Sequence, residues 1–276
     1  MILKNLTKQV KELLKNNGII DNSESEFLVS VACHLKRNDV YSEDVVPKNL
    51  VRKTKRWAKL RASGVPLTII SKSANFYGRD FYVNRNCLAP RPETEELTQW
   101  VGESMSTTAE VLDLCTGSGA IAITLNLEFG FSSVIASDIS SKALYIAKKN
   151  AKSLGSQVYF KKSNLFDKIN KRFDCIVSNP PYVSEKEYLK LDNEVKQFEP
   201  KLALVACDNG LEFYKKIIAQ APNYLKDGGR LFFEVGFNQA ESVAKLLQKD
   251  FKNIIIKMDL QGVPRMVSGT LKENQC

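Results

Sequence analysis

From residue 109 onward, short apolar or β-branched runs alternate with longer amphipathic ones, and this alternation leaves few folds open. Strand-like runs cover residues 110–114, 133–137, 157–161, 173–178, 229–235, 253–258 and 266–270, and helical spacing covers 120–129, 140–153, 211–225 and 239–250. Strands punctuated by helices in this way form a mostly parallel sheet covered on both faces. In an open sheet of that kind, ligands bind outside the C-terminal ends of the strands. The loops that follow strands are therefore the places to look for chemistry.

The front of the chain has a different period. Residues 1–64 read as a small helical bundle. Leu3, Leu6, Val10, Leu13 and Leu14 recur at helical spacing beside four lysines. An organelle-targeting helix would be Arg-rich and free of acids; with Glu12 and no arginine, the first helix of a bundle is the simpler reading. Ser23 with Glu26 has the form of a capping box. Pro47 suits the first turn of a helix through Trp57, and Gly64 with Pro66 suits its end. Aromatic and turn residues between Phe76 and Asn86 predict a β-hairpin, and Arg91-Pro92-Glu93-Thr94-Glu95 leads into a further helix. The organisation expected is a helical substrate-recognition domain over 1–74, a hairpin linker over 75–90 and a catalytic α/β domain over 91–276.

Several chemistries are excluded by what is scarce. The one histidine, His34, falls in an apolar helical run and leaves no His-rich metal site and no second imidazole for Ser-His or Cys-His machinery. Six cysteines, at 33, 87, 115, 175, 207 and 276, form no CxxC pair, which suits reduced thiols in a cytoplasmic protein. No apolar run approaches the roughly 18–20 residues that span a membrane. Charge is uneven: residues 1–75 carry 14 Lys/Arg against 7 Asp/Glu, and the rest carries 26 against 24. A basic lobe on a nearly neutral body fits an acidic or polyanionic partner, or simply a solvated helical surface.

The first strand of the sheet runs into Asp113-Leu114-Cys115-Thr116-Gly117-Ser118-Gly119. Glycines at this point let backbone N–H groups approach a ligand at a helix N-terminus. A dinucleotide would want G-x-G-x-x-G, and here the third glycine position is Ala122. An acid before Cys-Thr-Gly-Ser-Gly suits S-adenosylmethionine instead, which has no phosphate and carries an ammonium that Asp113 could face. Asp138 ends the second strand, about twenty residues on, where a carboxylate accepts ribose hydroxyls. After the third strand, Asn164 can hydrogen-bond a base and Leu165 can cover its face.

After the fourth strand comes Asn179-Pro180-Pro181-Tyr182. Neither proline has an N–H and both have a fixed φ, so the strand must stop in a stiff loop. An amide nitrogen is a poor nucleophile because its lone pair is shared with the carbonyl. Two acceptors aimed at its N–H bonds would hold it and raise its electron density, and the Asn179 side-chain oxygen with the Pro180 carbonyl can serve. Tyr182 can stack on the planar group. Transfer then depends on positioning rather than on a tuned general base.

With these residues the chain resembles the protein-(glutamine-N5) methyltransferases, the PrmC/HemK family. The likeness spans nearly the whole length through Phe76-Tyr77-Gly78, Arg91 to Glu95, residues 113–119, Asp138, residues 179–182, Glu199-Pro200, Asp208-Asn209-Gly210-Leu211 and the tail 259–265. The resemblance implies a Rossmann-like class I S-adenosylmethionine-dependent methyltransferase sheet of seven strands, the last antiparallel, behind a small N-terminal helical domain. It implies methylation of the glutamine in the Gly-Gly-Gln loop of class-1 peptide-chain release factors. The further expectation is a cytoplasmic monomer without direct nucleic-acid binding. Cys115, Thr116, Gly117, Ser118, Gly119, Asp138, Leu165 and Asn179 would contact the cofactor. Arg91, Pro92, Glu93 and Thr94 would lie near it or at the substrate entrance, and Asn179 to Tyr182 would hold the glutamine.

The chain departs from the family pattern at four places: Ile69 and Lys72 stand where Tyr and Gly are usual, Cys115 where Gly is usual, and Asn164 where Asp is usual. Cys115 is small enough to keep the loop close to a ligand if its φ is negative. Two other acceptors share the same motifs: a glutamine of a ribosomal protein, and adenine N6 in nucleic acid.

Overall fold

Apolar side chains at helical spacing close the front of the chain into a bundle. A computed structural model describes residues 1–273, so Cys276 lies outside the described residues. The chain forms two compact units, Met1–Ser73 with Asp192–Phe198, and the remainder.

The first unit holds α1 (Leu3–Lys15), α2 (Asn22–Cys33), α3 (Lys48–Ala62) and α4 (Leu67–Ser71). Leu3, Leu6, Val10 and Leu14 form one buried stripe of α1 and meet Leu28, Val29, Val40 and Ile70. Buried Thr7 donates to the Val40 carbonyl at 2.7 Å. Arg61 is the unit's buried charge. Its guanidinium donates to Glu24 at 2.5 Å and to Glu194 at 2.6 Å, which ties in the segment 192–198. The local details differ from the sequence reading. Asp21 caps α2 by accepting from Ser23 N at 2.8 Å, so the Ser23 capping box does not form. His34 lies past the helix as its left-handed C-cap, at φ 59°. Pro47 is the N-cap of α3 rather than a residue of its first turn, and Pro66 starts α4, a short helix the periodicity was too brief to show.

The second unit opens with a hairpin, β1 (Ser73–Phe76) and β2 (Arg79–Tyr82). Its two-residue turn places Tyr77 and Gly78 at φ 52° and 71°, the left-handed pair that matches strand twist. The hairpin is no loose connector. Phe76 and Phe81 are buried against Ala120, Ile123 and Ala151.

The remaining elements are α5 (Pro92–Ser104), β3 (Glu110–Leu114), α6 (Ala120–Leu127), β4 (Ser133–Asp138), α7 (Ser141–Leu154), β5 (Tyr159–Lys162), β6 (Phe173–Ser178), α8 (Glu185–Lys190), α9 (Asn193–Phe198, part of the first unit), α10 (Glu212–Gln220), β7 (Leu225–Glu234), α11 (Ala240–Leu247), β8 (Phe251–Met258) and β9 (Pro264–Leu271). Seven strands form one sheet in the order β5-β4-β3-β6-β7-β9-β8. The pairs from β5 to β7 are parallel, and β9 runs antiparallel to both its neighbours. Central strands are buried on both faces, as β6 shows with Phe173, Cys175, Ile176, Val177 and Ser178. Helix 211–225 is shorter than its apolar spacing suggests. Pro222 turns the chain through a 3₁₀ turn, Ala221–Asn223, and Leu225 already pairs with Phe173 as the start of β7.

The chain runs outward from β3 to β4 and β5, then returns to β6 on the other side of β3. The strand order reverses there, so the crevice at the C-terminal ends of β3 and β6 is where this topology places a ligand.

Candidate active site

A cavity of about 240 Å³ opens at that reversal. Cys115 and Gly117 from the loop after β3 line it, with Ser137, Asp138 and Ile139 at the end of β4. Ser163, Asn164 and Leu165 follow β5, and Asn179 and Pro181 follow β6. Four successive strand ends thus meet at one cavity. Cys87, Pro200 and Phe213 add apolar surface.

The loop after β3 divides into residues that reach the cavity and residues that support it. Asp113 belongs to the second group. It is fully buried, outside the cavity wall, and accepts the Thr116 hydroxyl at 2.6 Å. Burial pushes its carboxyl up to about 7. The sequence suggested an ammonium partner, and the structure makes Asp113 a prop beneath the loop. Thr116, Ser118 and Gly119 are likewise buried. Thr116 N donates to the Ser137 carbonyl at 3.0 Å. The Ser118 carbonyl accepts from Asn150 Nδ2 at 2.9 Å, and the Asn150 carboxamide also exchanges two bonds with the Tyr82 backbone. A Cβ on Gly119 would come within 2.9 Å of Ile123 Cδ1 and 3.1 Å of Ala147 Cβ, so glycine is what lets α6 approach α7. Cys115 has φ 62°. The condition of a negative φ is not met: cysteine holds the left-handed backbone that suits the glycine usual in the family.

Asp138 faces the cavity with both carboxylate oxygens anchored. Oδ2 accepts from Gly117 N at 2.9 Å and Oδ1 from Ser140 N at 2.8 Å. Burial raises its pKa, and the backbone donors Ser140, Gly117 and Ile139 counter this. A carboxylate oxygen has a second lone pair, so a pair of vicinal hydroxyls can still be accepted. A Cβ placed on Gly117 would meet nothing nearer than the Cys115 carbonyl at 4.0 Å, which leaves open space over the loop. Hydroxyl acceptors beside a flat apolar wall that includes buried Leu165 fit the nucleoside end of S-adenosylmethionine. Asn164 is exposed at the rim.

The opposite wall is built differently. Asn179 is half-buried at the end of β6, and Pro180 and Pro181 are buried. Asn179 Nδ2 donates to Thr94 Oγ1 at 3.3 Å, and Thr94 Oγ1 donates to Glu234 Oε2 at 2.6 Å. Glu234, the last residue of β7, is buried, and burial pushes its carboxyl up to about 7. Burial also raises the Tyr182 phenol well above its ordinary range. The Tyr182 backbone is clamped. Its N–H donates to the Leu204 carbonyl at 3.1 Å, and its carbonyl accepts from Gln239 Nε2 at 2.9 Å. Gly210 packs so close to that carbonyl that a Cβ would lie 2.1 Å from it, which accounts for the Asp208-Asn209-Gly210 turn.

Arg91, Pro92, Glu93 and Thr94 do not line the cavity. Arg91 pairs with Glu199 at 2.5 Å, next to Pro200 in the wall, and Pro92 begins α5. Thr94 is buried behind Asn179. Glu95 accepts from Tyr77 N at 2.8 Å and so fastens the hairpin. Sequence reasoning missed Glu234, Gln239 and Asn150. Only Glu234 left a signal: an acid within the otherwise apolar run 231–235.

The methyltransferase small domain family matches residues 94–197. A release factor glutamine methyltransferase of Bacillus subtilis (strain 168) is 36% identical over 268 residues, 92% of this chain and 93% of that one. The protein of the same name from Flavobacterium psychrophilum is 37% identical and covers 97% of this chain and 98% of its own; that of Koribacter versatilis is 43% identical over 76% of each. Among solved structures, a methyltransferase from Pyrococcus furiosus superposes with a TM-score of 0.56 at 18% identity, over 80% of this chain and 99% of that one. The sheet is thus the class I S-adenosylmethionine-dependent methyltransferase sheet. By this identity along nearly its whole length, the chain belongs to the family of release factor glutamine methyltransferases.

Proposed function

We propose that this enzyme methylates the side-chain amide nitrogen of the glutamine in the Gly-Gly-Gln loop of a class-1 peptide-chain release factor. The observation that carries the reading is that Asn179 and Pro181 line the same cavity as Gly117 and Asp138. A holder for a planar amide and a seat for a nucleoside then face each other across one small space. S-adenosylmethionine supplies an electrophilic sulfonium methyl when bound.

The chain's own residues do the rest. Asp138 accepts the ribose hydroxyls, Gly117 and Cys115 bring the loop backbone close, and Leu165 and Asn164 receive the base. Asn179 Oδ1 and the Pro180 carbonyl accept the two N–H bonds of the glutamine amide, and Tyr182 flanks its plane. The hold aligns the nitrogen with the methyl group, and alignment can account for much of such a barrier reduction. After transfer the methylated nitrogen, now strongly acidic, gives its proton to water, so no residue needs a pKa near neutrality for this step. The helical unit, with most of the surplus positive charge, is assigned to holding the release factor. Among the described residues no helix is long and apolar enough to cross a membrane.

The test is incubation with labelled S-adenosylmethionine and, separately, a release factor, ribosomal proteins and DNA, followed by mass spectrometry of the labelled residue. Label on a release-factor glutamine is expected. Label on a ribosomal glutamine or on adenine N6, with none on the release factor, would replace the reading.

A further inference from the structure

Behind the amide holder lies a set of buried polar groups that methyl transfer does not itself use. A carboxamide can sit in its site in two orientations of nearly equal shape, differing only in which end faces which partner. Only one of them lets Asn179 accept from a substrate N–H, the one with Oδ1 outward. The loop alone gives no reason to prefer it.

We propose that Thr94 and Glu234 are positioning residues that fix the Asn179 carboxamide with Nδ2 inward and Oδ1 toward the acceptor amide. The inference rests on the proposed function in one respect: Asn179 is taken to hold the glutamine.

The direction of the hydrogen bonds decides the orientation. Burial lifts the Glu234 carboxyl to about 7, so above that pH it is ionised and only accepts. Glu234 Oε2 therefore takes the single Thr94 hydroxyl proton, at 2.6 Å. With that proton committed, Thr94 Oγ1 presents only lone pairs to Asn179, 3.3 Å away. The group that meets them must be a donor, which is Nδ2. The reverse orientation would set Oδ1 against a hydroxyl oxygen with no proton to give, beside a buried carboxylate. Glu234 is only 2% exposed and Thr94 5%, so water does not supply the missing bond. The register brings these groups together: Ser178 pairs with Phe233 across β6 and β7, which leaves Asn179 and Glu234 as the next residues of two parallel strands.

A plain structural role, fastening α5 to β7, is the competing account, and double substitution separates the two. Thr94→Val keeps the shape and removes both hydrogen bonds. Its kcat on the acceptor is expected to fall about 10- to 100-fold, while calorimetric affinity for S-adenosylmethionine stays within about twofold of the unmodified enzyme. Thr94→Ser restores a hydroxyl and should recover most of the rate. Thr94→Val combined with Asn179→Ala should be no slower than Asn179→Ala alone, because residues that act through one another are not additive. An unchanged kcat in Thr94→Val, or a further roughly tenfold loss in the double variant, would overturn the inference.

A second readout does not depend on the acceptor. The Asn179 side-chain NH₂ resonances of the full chain, assigned by their loss in Asn179→Ala, should exchange slowly with solvent. That protection should fall in Thr94→Val, where only the Glu234 carboxylate is left to accept from Nδ2, and persist in Thr94→Ser. Equal exchange in all three overturns the positioning role. The expected pattern, joined to no labelling of a release factor by the unmodified enzyme, leaves the positioning role standing and removes the proposed function.

Discussion

The two sides of the cavity, the proposed donor wall and the proposed acceptor wall, are built by different means. The donor wall is braced mainly through backbone groups, including those the Asn150 carboxamide binds at Ser118 and Tyr82. Asp138 is braced by Ser140 two residues on and by Gly117 on the adjacent loop. The acceptor wall is made of side chains drawn from far along the chain. Thr94 and Glu234 are 140 residues apart, Asn179 and Thr94 are 85 apart, and Gln239 and Tyr182 are 57 apart. A seat built from backbone N–H groups at a strand end suits a fixed molecule such as a nucleoside cofactor. A holder built from side chains can be retuned by substitution without disturbing that seat. The division predicts that donor binding and methyl transfer can be damaged separately.

The strongest way to break the comparison is Asn179→Ala. Methyl transfer should fall by at least about 100-fold, the scale of losing an oriented polar hold on the reacting group. Calorimetric affinity for S-adenosylmethionine should stay within a factor of about two, since the backbone seat is untouched. Normal turnover in this variant would remove Asn179 from its assigned role, and lost donor affinity would erase the division between the walls. Asp138→Ala is the mirror experiment with a smaller expected effect. Donor affinity should weaken by about 10-fold or more, the worth of a charge-assisted hydrogen bond or two. At saturating donor the rate should recover much of the way. Equal affinity would mean that Asp138 only braces Gly117.

The same contrast explains what could be read from the chain beforehand. Donor-side residues announce themselves because each falls at or just past the end of a strand-like run: Gly117 after β3, Asp138 at the end of β4, Leu165 after β5. The tetrapeptide is visible for the same reason, since two prolines end β6 abruptly. What was not legible is what depends on the order of strands in space. Glu234 can serve Asn179 only because β7 lies beside β6, and nothing local to either run states that adjacency. Gln239 reaches Tyr182 only once Gly210 has let the chain come close. Burial of Asp113 and its bond to Thr116 were not legible either, because an acid at a strand end reads alike whether it faces a ligand or the underside of the loop. In the fold, Leu225 was drawn into a helix because its apolar spacing continued past Pro222, and pairing with Phe173 decided otherwise. The Asp21 cap shows how a capping residue two positions upstream of Ser23 can win on backbone geometry.

The smallest expected effect sharpens the claim that the donor wall is a matter of backbone. Cys115 sits at φ 62°, a region that costs an ordinary residue roughly 1–2 kcal/mol. Glycine there would remove that cost. It would also lose the contact of the cysteine side chain with the main core and raise the entropy of the unfolded chain by roughly 0.5–1 kcal/mol. These terms nearly cancel, so Cys115→Gly should leave thermal stability within about 1 kcal/mol of the unmodified protein. Donor affinity should stay within about twofold, because no sulfur chemistry is involved: burial holds the Cys115 thiol far above its ordinary range. Valine makes the opposite case. A β-branched residue is poorly accommodated at positive φ, so Cys115→Val should lower the melting temperature and weaken donor binding together, as the loop shifts off Asp138 and Gly117. If the valine variant melted and bound like the unmodified protein, the loop would have relaxed without consequence. The donor wall would then owe its grip to side chains, as the acceptor wall does.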